Sequence, residues 1–200
     1  MSVVGRMHAQ LVYNRRIEVL VSHLAPLLPH GAKVLDVGCG DGMIDSLIMK
    51  RRGDVSISGL DVLVRDKTHI PVTAFDGNLI PFDAESFDAV IFVDVLHHTS
   101  NPANLVKEAK RVSRDVIVIK DHTKKGLLAN LTLRFMDWAG NAHHGVVLPY
   151  NYWTELQWQQ TFTELNLTVH RWDTQLDLYS WPMNLFFDRS LHFIAKLSLN

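Results

Sequence analysis

The sequence predicts an α/β fold of the Rossmann-like, doubly wound kind, a mostly parallel seven-stranded sheet with helices on both faces. Three observations predict it. Short apolar, β-branched runs alternate with stretches of helical spacing, a glycine-rich turn closes the first run, and an aspartate stands at or near the end of each of the first four runs. Strands joined through helices need crossover connections, so they lie parallel with both faces covered.

Residues 12–28 place apolar side chains at helical spacing and run into Pro26 and Pro29, which predicts a one-faced helix. Residues 33–37 read as a buried strand, the glycines of residues 38–42 as a turn, and residues 43–52 as a helix. Residues 55–60 and 71–75 are further strands, ending at Asp61 and Asp76. Residues 88–95 form a nearly continuous apolar run, 102–112 a helix with proline in its first turn, and 115–119 another strand. Beyond Lys120 the rhythm changes: 127–138 reads as helix, 140–145 and 148–153 as loop, 154–165 as helix, and 167–172 and 191–199 as strands. Four of the five tryptophans follow residue 150, which marks the C-terminal third as specialised contact surface.

With 200 residues, 47% of them apolar, the chain can enclose one sizeable core. A single domain is expected over 1–200, with 1–30 as a helical cap and 121–190 as substrate-side elements. The 20 basic residues nearly cancel the 21 acidic ones, for a net charge of -1, so no broad cationic field exists to hold nucleic acid. The single cysteine, Cys39, fits a reducing compartment, and the cytoplasm is the expected location. No apolar run reaches the roughly 18 residues of a membrane span, and no secretory leader is visible.

Asp36, followed by Gly38, Cys39, Gly40, Asp41 and Gly42, sits where a strand gives way to a helix, so a ligand can lie directly against the main chain. In open α/β sheets the binding crevice lies beyond the carboxyl ends of the strands, which brings Asp36, Asp61, Asp76 and Asp94 to one rim. A dinucleotide fingerprint would need a small residue where Met43 stands, and Asp41 would repel a pyrophosphate. The expected ligand is therefore cationic, and an NAD-linked oxidoreductase is disfavoured.

Residues 34–42, the Leu79-Ile80-Pro81-Phe82 segment, residues 86–90 and the Val95-Leu96-His97-His98 segment together resemble the class I S-adenosylmethionine (SAM)-dependent methyltransferases, in particular the small-molecule type 11 group. The resemblance covers roughly residues 30 to 120 and departs at residues 111–115, where many relatives carry a Gly-Gly turn, so a differently shaped connection is expected there. It implies SAM as cofactor, with Gly38, Cys39 and Gly40 against the aminocarboxypropyl part and Asp36 supporting the turn or the ammonium. It further implies Asp61 and Val62 at the ribose, Asp76 and Gly77 at the adenine edge, and Val93 and Asp94 at the methionine end. The same acids also serve plain turn and cap roles in many proteins.

Methyl transfer to a small acceptor is an in-line displacement that needs no metal, and a base only when the acceptor must lose a proton. Histidine titrates in the right range, so His122 with Asp121 beside it, then His98, are the candidate catalytic residues. His143 and His144 read as loop residues. No metal is expected, because adjacent histidines diverge and no H-x-x-x-H pair supports them. Phe135, Trp138, Tyr150, Tyr152, Trp153, Tyr179 and Phe186-Phe187 are candidates for an apolar acceptor pocket, which would suit a lipophilic or aromatic acceptor, or else for core. Tyr13 to Arg16 is placed to close over the cofactor or to cap the sheet. The competing function is a non-catalytic SAM-binding sensor or partner subunit on the same fold.

Overall fold

The structure, a computed structural model, describes residues 3–141 and 149–199. Helix α1 (Val3–Leu24) buries Ile17, Leu20, Val21 and Leu24, a stripe at helical spacing. Pro26, which lacks a donor, breaks the ladder into a 3-10 turn at Ala25–Leu27, so the predicted helix stops four residues short of Leu28. The chain continues through β1 (Lys33–Val37), α2 (Met43–Arg51), β2 (Ser56–Asp61), β3 (Val72–Ala74) and β4 (Phe87–Val93). A 3-10 turn at Leu96–His98 leads to α3 (Pro102–Val112) and β5 (Ser113–His122). Then come α4 (Ala129–Asn141), α5 (Glu155–Glu164), β6 (Leu167–Asp173), α6 (Asn184–Phe187) and β7 (His192–Leu199).

The seven strands form one sheet in the order β3-β2-β1-β4-β5-β7-β6. All neighbours run parallel except β7, which is antiparallel to both β5 and β6. Alternate residues of each central strand feed opposite layers. Val34, Ile91 and Val118 join Leu20, Leu24 and Ile48 on one face, while Leu35, Phe92 and Ile119 join Val106, Trp158 and Phe162 on the other. Each such side chain contributes about 1.5 to 3 kcal/mol on burial. The order reverses direction between β1 and β4, and a sheet of this kind opens its binding crevice there.

Two local features, one a departure from the sequence expectation and one that meets it, matter for the site. Strand β5 was expected over 115–119 but runs to His122, because β7 pairs with it through His122↔His192 and the polar residues find buried partners. Asp121 and His122 therefore belong to the sheet rather than to the segment that follows it. The connection at residues 111–115 has no turn at all: α3 passes straight into β5 at Ser113. An irregularity absorbs the change, since Phe87 pairs with Ser113 but Ala89 pairs with Val116. Arg111 braces the junction by donating to the carbonyls of Ile80 and Phe82 at 2.8 and 2.7 Å.

In the C-terminal third, Thr154 and Gln157 cap α5 reciprocally, with Gln157 N–H donating to Thr154 Oγ1 and Thr154 N–H to Gln157 Oε1. That orients Trp158 and Phe162 onto the sheet, where Trp172 stacks on Phe193 at 4.1 Å.

Candidate functional site

The first glycine turn is held from beneath and from the side. Gly38 and Cys39 donate their N–H groups to the carbonyl of Leu60 at 2.7 and 3.2 Å, which ties the turn to β2. Gly38 has φ +83°, and a Cβ there would sit 2.2 Å from Val95 Cγ2, so neither the backbone nor the packing admits a side chain. Gly40, at φ +61°, differs: a Cβ there would meet nothing within 4 Å. It leaves bare main chain facing open space.

That space is a cleft of about 570 Å³ at the reversal between β1 and β4. Gly38, Gly40, Asp61, Val62, Asp76, Gly77, Asp94 and His98 all line it, together with the apolar Phe75, Val95 and Leu105. Asp61 Oδ2 accepts from Gly40 N–H and Oδ1 from Leu63 N–H, both at 2.8 Å, so this carboxylate fixes the turn and keeps its remaining lone pairs toward the cleft. Asp76 accepts from the N–H groups of Asn78 and Leu79, which hold its carboxyl below the ordinary value. Val62 is 64% exposed, an apolar side chain with a free face at the mouth.

Three expected cofactor residues do not line the cleft: Asp36, Cys39 and Val93. Strand alternation explains Asp36, which is buried under the turn. Burial, then the neighbouring Asp45 carboxylate, raises its carboxyl well above the ordinary 3.8. Asp45, in the first turn of α2, is fully buried and pushed up to about 6, chiefly by burial. Burial thus favours the protonated form of both carboxyls. Sequence reasoning missed Asp45 because an acid in a helix's first turn reads as ordinary capping. The Cys39 thiol is pushed up by burial against the backbone of Gly59. Asp41 accepts from Met43 N–H at 3.1 Å, just ahead of α2.

A second cluster lies beside the cleft, where β4 and β5 end. Asp94, at φ +57°, pairs with both Arg16 of α1 and the fully buried Lys120. Burial alone would raise its carboxyl, but the charges of Lys120 and Arg16 hold it well below the ordinary range. Lys120 Nζ also lies 3.3 Å from His192 Nδ1, and His192 Nε2 is 3.1 Å from the Phe187 carbonyl, which assigns a neutral His192.

Asp121 does not flank a catalytic base in the cleft. Its Oδ2 accepts from Leu96 N–H at 2.8 Å, and its Oδ1 from His122 N–H and His97 Nδ1, each at 2.6 Å. His97 reaches Asp137 through Nε2 at 3.3 Å, and Asp137 accepts from the Tyr152 hydroxyl. Burial works against a charged His97, yet Asp121 and then Asp137 push it up to about 10, so it is an imidazolium. His122 sits 3.3 Å from His97 Nδ1, is lowered by burial and by that charge, and, like Asp121, lines no part of the cleft. His98 does line it. Burial, then the His97 charge, lowers it to about 4, and its buried Nδ1 has no hydrogen-bond partner among the described residues.

Asp94, His122 and His192, and likewise His97, His122 and Asp137, place ligand atoms within 4.8 Å of one another. Sequence spacing could not show this, because the members come from separate elements. Lys120 already holds the cationic place in the first set. The aromatic candidates divide. Tyr152 is buried and Trp153 packs on Trp158, whereas Phe135, Trp138 and Phe186 are exposed, and none lines the cleft. His143 and His144 lie outside the described residues.

A doubly wound sheet of this order, with bare glycine main chain at its reversal point and an acid on the next strand, defines the class I methyltransferase fold. Residues 8–171 match the family described as "Methyltransferase domain". The chain belongs to that family.

Relatives include the ubiquinone biosynthesis O-methyltransferase of Hahella chejuensis, 31% identical over 99 residues, 42% of this chain and 40% of that protein. The phthiotriol/phenolphthiotriol dimycocerosates methyltransferase of Mycobacterium leprae is 29% identical over 119 residues, 55% of this chain and 41% of that protein. The chain spans less than half the length of the curated relatives it matches. Among solved structures, a SAM dependent methyltransferase from Aquifex aeolicus superposes with TM-score 0.59 over 86% of this chain and 85% of that one. At 18% identity this is a likeness of fold.

Proposed function

We propose that this chain is a SAM-dependent methyltransferase that moves a methyl group to a small-molecule acceptor. The observation that carries the reading is Gly40, whose unfilled Cβ cradle faces the cleft while its N–H is locked by Asp61. Bare main chain accommodates a chain-like aminocarboxypropyl group, the free lone pairs of Asp61 suit vicinal hydroxyls, and Val62 and Phe75 suit a purine face. Asp76 and Gly77 close the purine edge, and the carboxylates at the rim tolerate a cation where a pyrophosphate would be repelled. Bound there, SAM supplies an electrophilic methyl group.

The protein's part is to bind, orient and exclude water. Holding two reactants in near-attack contact contributes on the order of 7 to 11 kcal/mol. His98 is the histidine in a position to touch the acceptor. Lowered to about 4, it is neutral at neutral pH, so it repels no sulfonium and accepts a hydrogen bond from an acceptor hydroxyl. As a proton acceptor it is weak, so its role here is orientation. His122 and Asp121 take no part in this reading, because they build the wall behind the cleft.

The reading is tested by calorimetry with SAM, S-adenosylhomocysteine and NAD, followed by a labelled-SAM screen of extract with mass identification of the product. Binding of NAD in place of SAM would end it, and SAM binding without any methylated product would leave a non-catalytic binder. Asp61→Ala is expected to weaken SAM binding by roughly 1.5 to 3 kcal/mol. For His98→Ala, turnover should drop at least tenfold while the SAM dissociation constant stays within twofold; parallel losses would make His98 structural.

A further inference from the structure

Helix α4 has two apolar faces, and only one of them is used. Ala129, Leu133 and Asp137, four residues apart, are buried, and Asp137 is tied to His97 and Tyr152. The other stripe, Leu131, Phe135 and Trp138, with Leu128 just ahead of the helix, is 52 to 65% exposed. It continues onto the segment around α6. Phe135 stacks on Phe187 at 6.3 Å, Arg189 donates to Thr132 Oγ1 at 2.7 Å, and Trp181, Leu185 and Phe186 stand 59 to 77% exposed. A contiguous apolar surface with two tryptophans in it needs an occupant.

Charge identifies the occupant. From Lys124 to Met136 the chain carries Lys124, Lys125 and Arg134 and no acid, in a molecule whose net charge is -1. All three are exposed, as is Arg189 across the patch. Asp137 turns inward to His97, and Asp188 toward Tyr179 N–H. Two copies meeting face to face here would oppose their own basic borders, whereas an anionic lipid surface neutralises them while the apolar stripe enters the acyl boundary. No helix among the described residues is long and apolar enough to cross a membrane, so such an association is peripheral.

We propose that the outer face of α4 with the α6 segment docks this protein onto anionic lipid bilayers. The surface stands apart from the methyl-transfer chemistry, and its test does not require turnover. Co-sedimentation with vesicles of phosphatidylcholine, alone or mixed with phosphatidylglycerol, reads it directly. The protein should bind the mixed vesicles at least tenfold more tightly, and salt should release it. Lys124→Glu with Lys125→Glu touches no packing and should weaken binding by about thirtyfold or more. Leu131→Ser with Phe135→Ser should abolish binding while thermal unfolding shows the fold retained. Absence of binding to mixed vesicles, or equal binding by the lysine variant, would overturn the proposal. So would a concentration-dependent dimer, by light scattering, that the Leu131/Phe135 variant dissolves, since the face would then belong to a second copy.

Discussion

The cleft half of the molecule and the cluster at the ends of β4 and β5 solve the burial of charge in opposite ways. Under the glycine turn, Asp36 and Asp45 are buried without a cation among the described residues, so they keep a proton. Around His97 and Asp94, every buried acid meets a buried cation, so the groups stay ionised. The difference teaches where each half can tolerate change. The first half relies on main-chain geometry and a neutralised pair, and the second on charge matching across elements distant in sequence.

The largest effect expected is on the second half. His97→Gln leaves Asp121 and Asp137 buried without their shared cation, and should cost about 3 to 5 kcal/mol in urea unfolding. If the halves are separate, SAM affinity of the folded variant changes less than twofold; a loss matching the stability loss would break the distinction. Gly38→Ala comes next. A forced left-handed alanine pressed on Val95 should cost roughly 2 to 4 kcal/mol and, unlike His97→Gln, should also weaken SAM binding at least tenfold.

The pH dependence sharpens the comparison further. Asp45 is raised from 3.8 to about 6, so its stabilising protonation is complete below pH 3.8 and is lost as pH rises through about 6. His97 is raised from 6.5 to about 10, so its contribution is complete below pH 6.5 and is lost only as pH rises through about 10. Asp45→Asn should remove the first decline, leave the second, and gain on the order of 1 to 3 kcal/mol at pH 8. A melting-temperature profile of this variant that still falls between pH 4 and 7 would place the titrating pair elsewhere.

How much of this was legible follows from where the information sits. The glycine turn, Asp61, Asp76 and the strand rhythm lie in short contiguous runs, so residues named from sequence such as Gly40, Asp61 and Asp76 are found lining the cleft. Asp36 belongs to the same run yet lies beneath the cleft, since a one-residue step along a strand reverses the face. Both His98 and His122 follow apolar runs, and the neighbouring Asp121 favours His122 as the base. Strand β5 extends through His122 once β7 covers it, and that pairing carries His122 behind the wall.

By itself, the sequence determined the alternation of strand and helix, the sheet's parallel character and the bare glycine main chain at the cleft. These are local matters of period and backbone permission. Tertiary structure alone decided which histidine faces the cleft, which acids keep a proton and which face of α4 stays bare. Burial and charge pairing are properties of neighbours in space, and Asp94, Lys120, His192 and Arg16 become neighbours only when four separate elements have packed.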